Sequence, residues 1–354
     1  MPASNKVIDT IIVGQGLAGS MLAWHLMEQG QKVLVVSDES GPSASRVAAG
    51  LFNPVTGKRL VLQDRADIII PAANKLYREL EKRFSQGFFH EKPMLRIIAN
   101  KLELNTYEKR CSNPDYQGYL GNHIKAPASI KAPEGAIEQL QTGHLDTNAL
   151  LDCLKQYLIE QDAYHPSVFK HTDIRLMQDG VEWQEFKAAR IIFCEGFKGM
   201  HNPWFSWLPF QPAKGEILSL QTAAELPDRI INGGKWLLPI ANGHYKTGAT
   251  YEHDLSDMNP STAGRDKILA GMQQLLHSQI EFTLLDHQAG VRPNTLDKHP
   301  FIGMHPEQSR IGIFNGFGSK GSMLIPWYSK AFANHLTDGS PIPAESDIGR
   351  VQHG

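Results

Sequence analysis

Residues 6–19 read Lys6-Val7-Ile8-Asp9-Thr10-Ile11-Ile12-Val13-Gly14-Gln15-Gly16-Leu17-Ala18-Gly19. The first eight are rich in β-branched side chains, which is typical of a strand, and the last six have the spacing Gly-x-Gly-x-x-Gly. Gly14 permits the tight turn from strand to helix, Gly16 lets the backbone approach a pyrophosphate, and Gly19 lets the helix pack closely on the strand. The N-terminus of the helix, with Leu17 and Ala18 among the expected cofactor contacts, then offers unpaired N–H groups and a positive dipole end to the phosphates. The stretch predicts a dinucleotide-binding turn.

The residues that follow continue the same βαβ unit. Apolar residues recur at helical spacing, and Gly30 is placed to end the helix. Residues 33–36, Val-Leu-Val-Val, are typical of a strand buried on both faces. An acid about 20 residues beyond the glycines usually meets the ribose hydroxyls. Asp38 and its neighbour Ser37 both fit that contact. We expect a bound dinucleotide, and the alternative is a βαβ unit that binds no nucleotide.

Length and composition agree with an enzyme. The length of 354 residues suggests about two domains. A net charge of −2 gives no electrostatic footprint for nucleic acid or a membrane surface. The three cysteines, Cys111, Cys153 and Cys194, lack Cys-x-x-Cys spacing, so neither a disulfide framework nor a zinc site is expected. No signal-peptide run or apolar span of about 20 residues is present. We therefore expect a cytoplasmic protein with no bound metal and no membrane span.

After the second strand comes a run of small residues from Gly41 to Pro54. Small side chains permit close backbone approach to a flat ring or a phosphate, and the alternative is a simple surface loop. Placed after the glycine turn, this run resembles the superfamily of FAD-dependent D-amino-acid oxidases and glycine oxidases, in which the segment lies along the flavin. The resemblance implies that five of its residues contact FAD: Ser45, Arg46, Ala49, Gly50 and Leu51.

The resemblance also implies an α/β fold, with a Rossmann-like FAD-binding domain of the glutathione-reductase type and an inserted antiparallel β-sheet domain for the substrate. We expect the FAD-binding domain to comprise residues 1–85, 143–207 and 288–354, and the substrate-binding domain 86–142 and 208–287. The sequence further predicts a helix interrupted or bent near Pro71, a β-rich stretch from Gly87 to Gly143, and a helix capped by Asp146 or Thr147.

Two stretches in the middle of the chain match the FAD-binding part of this superfamily. Residues 170–174 fall where its members hold adenine through the backbone of an aliphatic residue, here Ile174. Residues 189–196 resemble the strand beneath the cofactor and give Gly196 a cofactor contact. Glu195 departs from the small residue that is usual there, so its carboxylate is either exposed or desolvated, with a raised pKa in the second case.

Residues 211–218 resemble the start of the substrate domain, Pro-x-(Lys/Arg)-Gly-(Glu/Gln), and residues 236–239 and 246–250 resemble two of its strands. Lys214 is expected either to help oxygen react with the flavin or to cap a strand in solvent. Trp236 is expected either to wall the substrate pocket or to be a core tryptophan.

The sharpest signal lies in residues 290–303, Gly-Val-Arg-Pro-Asn-Thr-Leu-Asp-Lys-His-Pro-Phe-Ile-Gly, which match the superfamily's Gly-x-Arg-Pro-x-Thr-x-Asp-x-x-Pro-x-Ile-Gly. The matching arginine, Arg292, grips the substrate carboxylate in relatives, a task that suits a planar bidentate side chain. The alternative is an ordinary surface or salt-bridge arginine. His299 occupies a variable position of the motif and is expected to be structural.

A second glycine turn resembles the one that closes the flavin site in this superfamily. It is expected to direct backbone N–H groups and a helix N-terminus at the flavin's pyrimidine oxygen. Lys320 falls where similar proteins carry arginine, so it keeps the charge but loses the bidentate fork. The predicted contacts are Gly316, Gly318, Ser319, Lys320, Gly321 and Ser322.

The resemblance implies oxidation of the C–N bond of an amino acid or secondary amine by hydride transfer to flavin, with oxygen or another acceptor completing the cycle. The chain is also similar to the oxidase domain of the bifunctional enzyme that modifies the tRNA wobble uridine, although its net charge argues against a tRNA footprint. Oxidation of a 2-hydroxy acid is a third hypothesis, and a flavin-binding sensor without turnover is a fourth. An open pocket at Arg292 would count against the sensor, and a pocket filled by Trp236 or Glu195 would favour it.

Overall fold

The computed structural model describes residues 8–38, 43–241, 243–277 and 279–351. Lys6 and Val7 of the predicted first strand, and Gly41 and Pro42 of the small-residue run, lie outside these ranges. The helices are α1 (Leu17–Glu28), α2 (Ala44–Val47), α3 (Ala66–Phe84), α4 (Lys101–Cys111), α5 (Thr147–Glu160), α6 (Thr262–Leu275) and α7 (Gly321–Asp338), with short 3-10 helices at Pro114–Tyr116, His171–Asp173, Gly196–His201 and Ile348–Arg350. The strands are β1 (Ile8–Val13), β2 (Val33–Ser37), β3 (Leu51–Phe52), β4 (Val55–Thr56), β5 (Val61–Leu62), β6 (Phe89–Glu91), β7 (Met94–Ile97), β8 (Leu120–Ile124), β9 (Ala136–Gln139), β10 (Gly143–Leu145), β11 (Tyr164–Pro166), β12 (Ile174–Leu176), β13 (Val181–Trp183), β14 (Phe186–Phe193), β15 (Ala213–Gln221), β16 (Ile230–Asn232), β17 (Trp236–Ala241), β18 (His244–Gly248), β19 (Thr283–Arg292), β20 (Phe301–His305) and β21 (Gln308–Asn315).

The chain divides into two compact units. Unit 1 comprises residues 1–46, 147–213 and 291–354, and unit 2 comprises residues 47–146 and 214–290. The predicted domain boundary after residue 85 differs from this division, which ends the first segment at Arg46. Residues 47–85 group with unit 2 because β3 pairs with β10 and because the ring of Tyr77 on α3 lies 5.2 Å from that of Phe89 on β6.

Unit 1 is built on a mostly parallel sheet, as the sequence predicted. β1 lies between β2 and β14 and pairs in parallel with both, so that Val13 stands beside Val36 and Phe193. β11 extends the sheet beyond β2, and β21 pairs in parallel with β14. Ile11 and Ile12 of β1 are fully buried, which is expected where a parallel sheet is covered on both faces.

Helices α1 and α7 pack against each other in unit 1. α1 begins at Leu17, directly after the glycine turn, and ends at Glu28. Gly30 follows with φ +79° and donates its N–H to the carbonyl of Met27 at 2.9 Å, as expected of a glycine that ends a helix. α7 contains Pro326 in its second turn.

Unit 2 contains an eight-stranded sheet in the order β19-β15-β18-β17-β16-β7-β9-β8. β15, β18, β17 and β16 pair antiparallel, as do β7, β9 and β8, whereas β16 and β7 run parallel. Met272 and Leu275 of α6 pack with Leu95, Ile231 and Leu237 of the sheet in one apolar cluster. The mainly antiparallel sheet agrees with the predicted fold class.

The structure refines two local predictions. α3 continues through Pro71, so the expected interruption is wrong, although proline supplies no N–H to the helix there; a bend stays a prediction. The stretch from Gly87 to Gly143 is β-rich, as expected, with β6, β7, β8 and β9, but it also contains α4, which the sequence did not predict. None of the α4 side chains is buried, so the sequence carries no apolar stripe to reveal it. Its start is fixed locally, since the Asn100 side chain accepts a hydrogen bond from Glu103 N at 3.0 Å.

The three cysteines are free thiols, with Cys194 buried, Cys153 partly buried and Cys111 exposed. Within the described ranges, no cluster of three or more His, Cys, Asp or Glu residues is placed to hold a metal ion. None of the helices described here combines the length and the apolar character that crossing a membrane requires.

Two histidines, the partly exposed His25 and the buried His144, are expected to make the stability of the protein depend on pH. Burial lowers the pKa of His25, on α1, to about 4, against a hydrogen bond to the Pro326 backbone that raises it. Burial and the neighbouring His90 lower the pKa of His144, in unit 2, to about 4 as well. The unfolded chain takes up a proton at these sites near pH 6.5 and the folded chain only near pH 4. The stability is therefore complete above about pH 6.5 and is lost as the pH falls towards 4.

We expect His25→Gln to weaken this pH dependence. A neutral His25 contributes about 3 kcal/mol of stability that disappears between pH 6.5 and 4. Urea unfolding at pH 7.0 and pH 5.0 measures the difference, which is expected to be smaller in His25→Gln than in the unsubstituted protein. The exposed His201→Gln serves as the matched control. An equal pH dependence in the unsubstituted protein and His25→Gln would show that His25 does not carry the effect.

Candidate flavin site

The first glycine turn of unit 1 is packed backbone against backbone. A Cβ atom on Gly19 would lie 1.9 Å from the carbonyl oxygen of Gly14, and one on Gly14 would lie 2.5 Å from the carbonyl oxygen of Cys194. Gly14 also has φ +108°, a conformation that side chains disfavour. The turn therefore requires glycine at both positions, for two different reasons.

The N-terminus of α1 fits an anionic group. Gly16 provides no side-chain cap, and the first turn of the helix has no acidic residue. The first turn of α1 therefore supplies no carboxylate of its own to the positive end of the helix dipole. A dinucleotide pyrophosphate is the group that such a glycine turn and helix end accept.

Two predicted cofactor residues brace this turn. Ser45 Oγ accepts a hydrogen bond from Leu17 N at 3.1 Å, and Ser37 Oγ accepts one from Gln15 N at 3.2 Å. Ser37 thus holds the turn backbone itself. The carboxylate of Asp38, the other candidate for the ribose contact, lies 3.9 Å from Lys198 Nζ. The two candidates therefore differ in their present partners: Asp38 faces a lysine, and the Ser37 hydroxyl is bound to the turn.

The small-residue run is divided between the two units. Arg46 belongs to unit 1 and ties its segment to α5 through an ion pair with Asp152 at 2.5 Å. Gly50 belongs to unit 2, where its φ is +64° and a Cβ would lie 1.9 Å from the Leu145 carbonyl. Ala49 and Leu51 lie in an apolar cluster of unit 2.

Glu195 follows the end of β14, beside the first glycine turn. One of its carboxylate oxygens lies 2.9 Å from His171 Nε2, and the other accepts from Asn202 Nδ2 at 2.8 Å. Its side chain is 11% exposed. Of the two situations expected from the sequence, exposed or desolvated, the carboxylate is close to the second, and two hydrogen-bond partners accompany its burial. His171 lies in the stretch 170–174 but was given no role there, and Asn202 belongs to no motif, so sequence reasoning did not find either contact.

The second glycine turn packs on the motif that carries Arg292. Gly316 has φ +85°, and a Cβ there would lie 2.7 Å from Thr295 Cγ2. Gly318 has φ +54°, and its N–H donates to the carbonyl of Pro293 at 3.2 Å. The two stretches that match the superfamily best are thus in direct contact within unit 1.

Helix α7 starts directly after this turn. Lys320 precedes its first residue, Gly321, without a side-chain cap, and the first turn, which includes Ser322, has no acidic residue. The positive end of the α7 dipole therefore suits an oxygen that gains negative charge. Ser319 and Lys320 lie in the same turn.

Asn315 joins two of the predicted cofactor segments. It is 2% exposed, its Nδ2 donates to the Gly196 carbonyl at 2.8 Å, and its Oδ1 accepts from Gly316 N at 2.8 Å. No motif includes Asn315. The sequence nevertheless carries a signal for it, since a single polar residue ends the apolar run Ile311–Phe314 directly before the turn.

Two of the predicted cationic site residues, Arg292 and Lys320, lie in unit 1 and are half-buried. Arg292 ends β19, and its carbonyl accepts a hydrogen bond from Asn294 N at 2.9 Å. Burial lowers the pKa of Lys320, and the positive charge of Lys298 lowers it further. His299 contributes its carbonyl to Thr295 Oγ1 at 2.8 Å, a structural role.

Trp236 and Lys214 lie in unit 2. Trp236 starts β17 and is half-buried against an apolar cluster that includes Val47 and Leu238. The side chain of Lys214 is 4% exposed, with Nζ 3.2 Å from Glu216 Oε1. It does not cap a strand in solvent, so that expectation for Lys214 is wrong.

Glu216 is the centre of a buried polar cluster. It is fully buried, and it also accepts from Ser261 N at 3.0 Å, Ser261 Oγ at 2.9 Å and His287 Nε2 at 2.7 Å. Burial raises the pKa of Glu216, but the hydrogen bonds from Ser261, Lys214 and His287 outweigh it and hold the pKa below its usual value. Glu216 is therefore a charged group that needs its donors.

We expect Lys214→Met to destabilise the protein by about 2 kcal/mol, because it leaves a buried carboxylate without its cationic partner. Urea unfolding at pH 7 measures this loss. The matched control is Lys187→Met, which removes an exposed ion pair with Glu182 and is expected to cost less than about 1 kcal/mol. Equal stability of Lys214→Met and the unsubstituted protein would mean that Glu216 is held by Ser261 and His287 alone.

Known proteins resemble the chain over nearly its whole length. Glycine oxidase of Pseudomonas aeruginosa is 28% identical over 351 residues, covering 94% of this chain and 95% of that protein. The tRNA 5-methylaminomethyl-2-thiouridine biosynthesis bifunctional protein of Marinobacter nauticus is 24% identical over 353 residues, covering 92% of this chain and 55% of that protein. The chain thus spans about half the length of the Marinobacter protein. The solved structure of glycine oxidase from Geobacillus kaustophilus has the same fold, with a TM-score of 0.80, 20% identity, and coverage of 98% of this chain and 99% of that one.

The family match covers both glycine turns and the Arg292 motif. Residues 9–335 match the family described as "DAO: FAD dependent oxidoreductase", and this range contains the α1 and α7 N-termini described above. The glycine turns and the acid-free helix ends fit the anionic cofactor that this description names. The chain belongs to the DAO family of FAD-dependent oxidoreductases.

Proposed function

We propose that the protein oxidises the C–N bond of a small amino acid or secondary amine and that oxygen is the final electron acceptor. The observation that carries the proposal is the contact between the Arg292 motif and the second glycine turn, through Gly318 N and the Pro293 carbonyl. This contact places Arg292, whose side chain is of the type that binds carboxylates, in the segment that packs on the turn proposed to face the flavin. The similarity to glycine oxidases supports the same substrate class.

The proposed contacts with the cofactor follow the segments of unit 1. The Gly14–Gly19 turn and the α1 N-terminus hold the pyrophosphate, Ser37 or Asp38 the ribose, and the Ile174 backbone the adenine. The turn from Gly316 to Ser322 supplies N–H groups to the pyrimidine ring. Bound FAD supplies the acceptor for the hydride that leaves the substrate.

The main task of the protein's own residues in this reaction is to orient the substrate. Arg292 binds the carboxylate through two parallel hydrogen bonds, which fixes the α-carbon and its hydrogen. Lys320 adds a second positive charge, and its lowered pKa makes that charge easier to lose than an ordinary lysine's. The product imine is hydrolysed by water, so no dedicated nucleophile is required. The roles of Trp236 as a pocket wall and of Lys214 in the reaction with oxygen stay predictions.

The visible spectrum of the purified protein tests the proposal. Glycine, sarcosine, D- and L-amino acids and 2-hydroxy acids are added one at a time without oxygen. We expect one amine or amino acid to bleach the oxidised flavin and air to restore it with formation of hydrogen peroxide. Bleaching by a 2-hydroxy acid alone would replace the proposed reaction with alcohol oxidation. A yellow protein that no compound bleaches would favour the sensor without turnover.

A second candidate is the oxidase step of tRNA wobble-uridine modification. It is favoured by the 24% identity with the Marinobacter protein over 92% of this chain and by residues 318–321, Gly-Ser-Lys-Gly. The net charge of −2 supports a small substrate instead, because tRNA binding usually requires a basic surface. Bulk tRNA added to the anaerobic protein distinguishes the two, since bleaching by tRNA and by no free amino acid would establish the second candidate.

A further inference from the structure

We propose that Glu195 is a positioning residue for FAD, acting through His171 and Asn202. It stands at a point where three separate segments of unit 1 meet. Cys194 N donates to the Val13 carbonyl at 2.8 Å, which fixes the end of β14 beside β1. The Cα of Glu195 lies 3.7 Å from where a Cβ on Gly14 would be. Glu195 therefore follows directly from the wall of the first glycine turn.

The carboxylate holds one segment on each of its two oxygens. His171, 2.9 Å from Oε1, lies three residues before Ile174, the residue proposed to hold the adenine. Asn202, which donates to Oε2 at 2.8 Å, is fully buried and ends the 3-10 helix that begins at Gly196. Hydrogen bonds to a charged acceptor are stronger than neutral ones and are costly to leave unmade when buried.

Aromatic side chains pack against this cluster. The His171 ring packs against Phe193, with ring centres 5.3 Å apart, and against Trp204 at 6.0 Å. Trp204 N in turn donates to Asn202 Oδ1 at 2.9 Å. His171 is thus held by the carboxylate and by two rings, and Asn202 is held by the carboxylate and by the Trp204 backbone.

The cluster continues to the second glycine turn. Gly196 follows Glu195, and its carbonyl accepts from Asn315 Nδ2, while Asn315 Oδ1 accepts from Gly316 N. One chain of contacts therefore connects the segment of Ile174, the end of β14 and the turn at Gly316. A side chain that holds binding segments in place before the ligand arrives increases affinity without touching the ligand.

The experiment compares FAD dissociation constants, measured by flavin fluorescence on dilution of the holoprotein. We expect Glu195→Ala to weaken FAD binding about tenfold, His171→Ala to weaken it similarly, and the double variant to be no weaker than Glu195→Ala. Glu195→Gln keeps an oxygen for Asn202 and an amide for His171 and is expected to bind within about threefold of the unsubstituted protein. His201→Ala, an exposed histidine of the same 3-10 helix, is the matched control.

Three results would overturn the proposal. Glu195→Ala with unchanged affinity shows that the cluster does not act on FAD. A double variant whose loss is the product of the single losses shows that Glu195 and His171 act separately. If Glu195→Ala does not fold, His171→Ala and Asn202→Ala decide the matter, and unchanged affinity in both rejects it. The inference rests on FAD as the cofactor and not on the proposed substrate, so a protein that binds FAD and oxidises no amine leaves it intact.

Discussion

Arg292→Ala is expected to lower kcat/KM for an amino-acid substrate at least a hundredfold while the protein stays yellow. In the role proposed for Arg292, the substitution removes one partner of a bidentate, charge-assisted pair in a partly desolvated site, which costs about 3 kcal/mol or more. At about 1.4 kcal/mol for each factor of ten, that is a factor of a hundred or more. Steady-state oxygen consumption measures kcat/KM, and the flavin absorbance of the purified variant shows that the cofactor is retained.

A substrate without a carboxylate serves as the control for Arg292→Ala. An amine of similar size without a carboxylate has nothing for Arg292 to bind, so its slow oxidation is expected to be equal in Arg292→Ala and the unsubstituted protein. Arg292→Lys is expected to recover only part of the loss, because lysine keeps the charge without the planar fork. An equal loss for substrates with and without a carboxylate would mean that Arg292 maintains the structure instead of binding the carboxylate.

The sequence predicted the parts of the fold in which a position can be occupied by only one type of residue for a clear physical reason. The glycine turn at 14–19 and the apolar strand before it predicted the parallel sheet of unit 1, because only glycine fits where a Cβ would lie 1.9 Å from a carbonyl oxygen. Gly30 was located for the same kind of reason, its φ of +79°. At such positions the residue type is determined by the local backbone, so a few neighbouring residues of the sequence are enough to predict the structure.

The remaining features depend on partners that are distant in sequence. Helix α4 was missed because it buries no side chain, and the grouping of residues 47–85 with unit 2 could not be foreseen because β3 pairs with β10, which is distant in the sequence. The partners of Glu195 illustrate the same limit. His171 is 24 residues away in the sequence, and no spacing rule connects a histidine in a short 3-10 helix with an acid after a strand. The contacts of Asn315 and Glu216 also became visible only in three dimensions.

Gly19→Ala is expected to abolish stable FAD binding. The φ of this residue is an ordinary helical one, and alanine is the better helix former by about 1 kcal/mol, so any damage must come from the added methyl group. That group would lie 1.9 Å from the Gly14 carbonyl oxygen and 3.2 Å from Ile12 Cγ2. The first of these contacts is with backbone, which cannot rotate away, so α1 has to move off β1. We expect the purified variant to be colourless, with an FAD dissociation constant at least a hundredfold higher, measured by titration with FAD.

Gly30→Ala, at the other end of the same helix, is the control for Gly19→Ala. It replaces a glycine with alanine without creating a steric clash. Nothing lies within 4 Å of a Cβ on Gly30, but its φ is +79°, so alanine there costs about 1 kcal/mol of backbone strain and no steric clash. That variant is expected to be slightly less stable and fully yellow. The two substitutions thus predict opposite patterns, lost cofactor at Gly19 and lost stability alone at Gly30. A yellow Gly19→Ala would show that α1 can shift on β1 without disturbing the phosphate site, and the helix N-terminus would then not be what holds the pyrophosphate.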